Sequence, residues 1–105
     1  MLAVVIESIN QRILDSQKII GKWFFRFHVS DDISIAELSE IMKFKINVKI
    51  TDPNQRLTQK EKVVFFNNSV SVTENRDIQE LYNIYHEDDG WLYLDFIINH
   101  VKQVG

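Results

Sequence analysis

From Lys43 to Ile50 the chain alternates without a break: Phe44, Ile46, Val48 and Ile50 are apolar, while Lys43, Lys45, Asn47 and Lys49 are polar. Successive strand residues point to opposite faces, so the pattern predicts a strand over 43–51 with a core face and a lysine face. A one-residue slip would bury three ammonium groups, which fixes the side that faces inward. Lysines on the wet face also suit an edge strand, because they discourage pairing with other molecules.

The rest of the chain is read against that strand. Leu2, Val5, Ile6, Ile9 and Ile13 recur at helical spacing and predict an N-terminal amphipathic helix within 1–20. From 22 to 29, Trp23, Phe25, Phe27 and Val29 alternate with Phe24, Arg26 and His28, which predicts a strand. Phe24 adds apolar surface to its second face and argues for a central place in the sheet. Ser34 and Glu37 have the capping-box spacing, so a short helix should start there and turn Ile35, Leu38 and Ile41 or Met42 inward.

Asp52-Pro53-Asn54 reads as a turn. Val63 to Phe66 reads as a strand, followed by a turn or bulge at Asn67-Asn68 before Val70 and Val72. Ile78, Leu81, Tyr82 and Tyr85 define a third helix, capped by Thr73 or Asn75 and closed before Gly90. Residues 91–98 fit both periods, and their aromatic and β-branched content favours a strand.

Strand, helix, strand, strand, helix, strand over 22–98 is the order of the ferredoxin-like βαββαβ sandwich. The expected architecture is a single α+β domain spanning 1–105. Its mostly antiparallel sheet is preceded by the N-terminal helix (1–20) and followed by a tail (99–105). Right-handed crossovers would place the first and last strands near the centre and 43–51 at an edge. Phe25, Phe27, Leu81 and Leu94 should share the core.

Composition excludes several classes. With 105 residues, 45% hydrophobic and 26% charged, the chain is neither a disordered segment nor a low-complexity fibre. It has no cysteine, so disulfide scaffolds, thiol catalysis and cysteine-based metal sites are out. No apolar run reaches the roughly 18 residues of a membrane span. Met1 to Ile6 lacks the basic leader and cleavage site of a signal peptide, so a cytoplasmic location is expected. His28, His86 and His100 show no metal spacing, and no nucleophile elbow, glycine-rich phosphate loop or HExxH motif occurs. The expectation is a non-enzymatic protein without cofactor or metal.

The net charge of −3 hides a division. Within 43–62, Lys43, Lys45, Lys49, Arg56, Lys60 and Lys62 face only Asp52 and Glu61, a net +4, whereas 63–105 carries a net −5. The acids cluster at Glu87, Asp88 and Asp89, between Tyr85 and Trp91. Aromatic anchors beside steering charge are the make-up of a protein-binding hot spot. Local structure asks only for Gly90 there, so the acids look surplus to folding.

The leading expectation is therefore a protein-binding module, of the inhibitor or immunity/antitoxin type, whose Tyr85–Trp91 surface occupies a basic site on a toxin or effector. One alternative is a nucleic-acid-binding domain using the basic 43–62 hairpin. RNA-recognition domains share the expected element order, yet Lys62 to Phe66 lacks their glycine-aromatic pattern. The other alternative is a structural or assembly protein of a phage or mobile element.

Overall fold

A computed structural model describes residues 1–8 and 23–100, with the backbone alone for His100. Among the described residues the chain forms β1 (Leu2–Ser8), β2 (Phe24–Val29), α1 (Ile35–Lys49), a 3-10 turn (Pro53–Gln55), β3 (Glu61–Asn67), β4 (Val70–Ser71), α2 (Ile78–Tyr85) and β5 (Leu92–His100). The strands form one sheet in the order β2-β1-β5-β3-β4. β1 and β5 pair in parallel at its centre, while β1–β2, β5–β3 and β3–β4 are antiparallel. The result is a single α+β domain. Its order and parallel central pair replace the ferredoxin-like arrangement expected from the sequence, and 22–29 lies at an edge instead of near the centre.

The expected N-terminal helix is corrected over its first turns, because Leu2–Ser8 is a strand. Leu2, Val4, Ile6 and Ser8 face the core, and Val5 on the opposite face is also buried, at 2% exposure. A parallel strand covered on both faces reads as a continuous apolar run instead of an alternation. Such a run contains helical spacings by default, which is why period alone misassigned it. The remainder of the expected helix, 9–20, lies outside the described residues, as do 101–105 of the expected tail.

The second correction concerns the alternating segment. Residues 43–49 continue α1. The Ser34 capping box forms as expected: the Glu37 N–H donates to Ser34 Oγ at 3.2 Å, and the Ser34 N–H donates to Glu37 Oε1 at 3.3 Å. No glycine or proline follows until Pro53, so nothing stops the helix at residue 42. Ile35, Leu38, Met42 and Ile46 face the core and are nearly fully buried. On a helix, two residues span about 200°, so a period-two pattern splits into two stripes on opposite sides. Met42 and Ile46 form the inner stripe. Phe44 and Val48 form the outer one, 71% and 68% exposed, against the expectation that both would be core.

Local signals fared better elsewhere. Phe25 and Val29 are buried and Phe27 packs against the core, while Phe24, Arg26 and His28 face away. Phe24 is 56% exposed, as an edge strand permits. The β3–β4 turn uses positive φ at Asn68 and Ser69, and Gly90 has φ +83° after α2. α2 has Asp77 at its N-cap, beyond both caps proposed from the sequence, and buries Ile78 and Leu81. Residues 92–100 are a strand, with Leu92, Leu94, Phe96 and Ile98 inward.

Asn47 ties the helix end to the following loop. Its Nδ2 donates to the Leu57 carbonyl (3.1 Å), and the Leu57 N–H donates to its Oδ1 (2.7 Å). The pair seats the buried Leu57 side chain against the core. Asn47→Ala leaves two backbone groups without partners and is expected to cost about 1–3 kcal/mol in urea unfolding. Unchanged stability would show that the loop does not depend on this clamp.

Candidate functional site

Among the described residues β2 has a neighbouring strand on one side only. The Ser8 N–H donates to the Trp23 carbonyl at 2.9 Å, which marks that opposed pair as hydrogen-bonded. Antiparallel pairs alternate, so Phe25, Phe27 and Val29 turn their backbone groups to β1. The N–H and C=O groups of Phe24, Arg26 and His28 consequently point to the open edge. These are unused ladder positions of the kind that accept an added strand.

A groove of about 300 Å³ runs beside this edge, between β2 and the second half of α1, lined by Phe25, Phe44, Lys45, Val48 and Lys49. Its floor is aromatic and its rim is basic. Lys45 Nζ sits 4.4 Å from the Phe27 ring centre, and Lys49 Nζ 5.7 Å from that of Phe25. The Trp23 ring meets Phe25 edge-on at 6.1 Å. The outer stripe of α1 thus stands next to the open edge of β2, with both lysines over the phenylalanines.

On the opposite face of β2, the Arg26 guanidinium lies over the Trp91 ring at 5.0 Å and near the Phe24 ring at 6.0 Å. The His28 ring lies 5.3 Å from Trp91.

The residues singled out from the sequence are not gathered as expected. Tyr85 lines a separate cavity of about 150 Å³ with Asn67, Val70, Arg76 and Leu81, whereas Trp91 packs with Arg26 and His28. Glu87, Asp88 and Asp89 are exposed. Asp89 is not surplus to folding. Its Oδ1 accepts the Trp91 N–H at 2.9 Å and its Oδ2 accepts the Tyr93 hydroxyl. The Gly90 N–H donates to the Glu87 carbonyl (2.9 Å), and the Tyr82 hydroxyl donates to the Gly90 carbonyl (2.6 Å). The acidic turn is therefore partly a structural device.

The basic hairpin dissolves. Lys43, Lys45 and Lys49 lie on α1, Lys60 is exposed in the loop before β3, Arg56 Nε donates to the Ile50 carbonyl (3.2 Å) and Lys62 pairs with Glu74. Sequence reasoning missed Phe44 and Val48 as a site. The available signal was their i, i+4 spacing beside Lys45 and Lys49.

The hydrogen bond from Tyr93, and then the Trp91 N–H, hold the Asp89 carboxyl below the usual aspartate range. The same bond holds the Tyr93 hydroxyl above its usual value. A depressed carboxyl stabilises the fold above its unfolded pKa, and that contribution fades as pH falls through the lower folded value. Asp89→Asn should therefore be less stable than the wild type at neutral pH, with the gap closing below about pH 4. Urea midpoints across that range check this, and a constant gap would contradict it.

No protein-family model matches the chain, and no curated protein matches it. Solved structures do. The chain is similar to Trypanosoma brucei ATG8, with TM-score 0.69 and 15% identity over 97% of this chain and 76% of that one. It is also similar to Plasmodium falciparum Atg8 in complex with a Plasmodium falciparum Atg3 peptide, with TM-score 0.62 and 25% identity over 90% of this chain and 73% of that one. The fold is the ubiquitin-like fold of the Atg8 proteins.

Proposed function

We propose that the chain is a protein-binding module that takes an extended segment of a partner protein as an added strand along β2. The segment would seat an apolar side chain in the groove between β2 and α1. The observation that carries this reading is the outer stripe of α1. Phe44 and Val48 are large, apolar and more than two-thirds exposed, on a helix whose other face already supplies the core. Folding does not require them. Their place beside open backbone donors and acceptors matches strand-addition recognition, in which main-chain bonds give affinity and side-chain pockets give specificity. The Atg8 neighbour in complex with a peptide supports a protein-binding module.

Nothing in the fold supports the narrower inhibitor or immunity role, because Asp89 is engaged within its own turn and Tyr85 and Trp91 have different neighbours. Nucleic acid loses its expected hairpin.

Selection of a peptide display library on the immobilised chain tests the proposal. Enriched peptides should carry an apolar residue, lose binding to Val48→Ser and keep it with Glu87→Lys. Peptides lost on Glu87→Lys and indifferent to Val48→Ser would return the site to the acidic turn.

A further inference from the structure

The outer stripe of α1 and the cavity beside β4 lie at opposite edges of one sheet, and their chemistry is complementary. We infer that the protein associates with itself head to tail, with Phe44 of one copy entering the Tyr85 cavity of the next. This contact does not depend on what else enters the groove beside β2.

The knob is Phe44, 71% exposed, with Val48 one turn further along α1 and Lys43, Lys45 and Lys49 around them. Residues 43–49 carry three positive charges and no acid. The socket is the cavity of about 150 Å³ between α2 and the β3–β4 hairpin, a volume on the scale of one side chain. Buried Val72 and Leu81 line it, together with Val70 and Tyr85, which remain exposed. Ile84, next to Tyr85 on α2, is exposed as well. Folding leaves this surface apolar, and apolar patches of this kind mark contacts.

Charge selects the occupant. Residues 74–89 carry six carboxylates against Arg76, a net −5. Glu74 pairs with Lys62, Glu80 with Arg76, and Asp89 is bonded within its turn. Asp77, Glu87 and Asp88 remain exposed around α2. An apolar side chain carried on a lysine-rich helix suits that surface, and the chain supplies one itself.

β2 and β4 are the outer strands of the sheet, so a molecule cannot fill its own socket. A contact between unlike surfaces leaves one knob and one socket unused at the ends, so association continues beyond the dimer. It also covers Phe44 and Val48, which makes self-association and partner binding mutually exclusive.

Sedimentation equilibrium of the full chain, from micromolar to millimolar concentration, tests this. The wild-type mass should rise beyond the dimer and fall back in high salt, which screens the lysines from the acids. Phe44→Ser and Val70→Lys, both at exposed positions, should each weaken association about ten-fold or more. An equimolar mixture of the two should recover association and stop at the dimer, because each variant keeps the surface that the other lacks. A wild type that stays monomeric, variants that associate as the wild type does, or a mixture that fails to pair overturns the inference. A peptide selected on the wild type separates this outcome from strand addition, since Val70→Lys should bind it fully and Phe44→Ser should not. A monomeric wild type with Phe44-dependent peptide binding overturns self-association alone. Head-to-tail association without peptide binding overturns strand addition alone.

Discussion

Phe65→Ala is expected to lower the free energy of unfolding by about 3–5 kcal/mol. Phe65 is 1% exposed on β3 and stands in register with Phe96 of β5, which is equally buried. The Phe96 ring lies 6.4 Å from that of Phe25, so the three phenylalanines run across the helix-facing side of the sheet. Removing Phe65 from this row loses the transfer energy of a whole ring and leaves a cavity into which a close-packed interior relaxes only in part. A domain of this size holds only about 5–15 kcal/mol in total, so the variant will be marginal. Phe65→Leu, expected to lose about 1–2 kcal/mol, keeps the test readable if Phe65→Ala does not fold. Urea unfolding of both variants measures the effect. A loss under about 1 kcal/mol for Phe65→Ala would contradict the packing.

The Phe44→Ser/Val48→Ser double variant should show the opposite separation. Its stability should stay within about 1 kcal/mol of the wild type, because both side chains are solvent-exposed and serine is close to phenylalanine and valine in helix propensity. Its affinity for a peptide selected on the wild type should fall about thirty-fold or more, the scale of a binding hot spot. Stability comes from chemical denaturation and affinity from anisotropy. An unfolded variant would mean that the outer stripe belongs to the core. A folded variant with full affinity would move the site away from the groove.

What could be read from the sequence was what short-range chemistry determines. The Ser34–Glu37 capping box, the alternation of β2, the Ile78–Leu81 face of α2 and the turn at Gly90 each depend on neighbours within a few residues. β1 could not be read this way, because a parallel strand buried on both faces loses the alternation that identifies strands. Its partners on β5 lie about ninety residues away in sequence, as in the Val4–Leu92 pair. The 43–50 segment misled for a different reason. Perfect alternation satisfies a strand, and on a helix it also yields two opposed stripes, one for the core and one left outside. That ambiguity concealed the groove, since Phe44 and Val48 were assigned to the interior. The acidic turn was overvalued because the bond from Tyr93 to Asp89, which gives that acid a structural task, is invisible without the fold.

Strand addition along β2 is tested most directly by amide chemical-shift mapping of the labelled chain as a selected peptide is titrated in. The N–H groups at the open edge belong to Phe24, Arg26 and His28, while those of Phe25, Phe27 and Val29 face β1. The account predicts large downfield shifts and new protection from hydrogen exchange at Phe24, Arg26 and His28, with smaller changes at the alternate positions and side-chain shifts at Phe44 and Val48. Perturbations confined to Tyr85–Trp91 or to the β3–β4 turn, with the β2 amides unmoved, would contradict it.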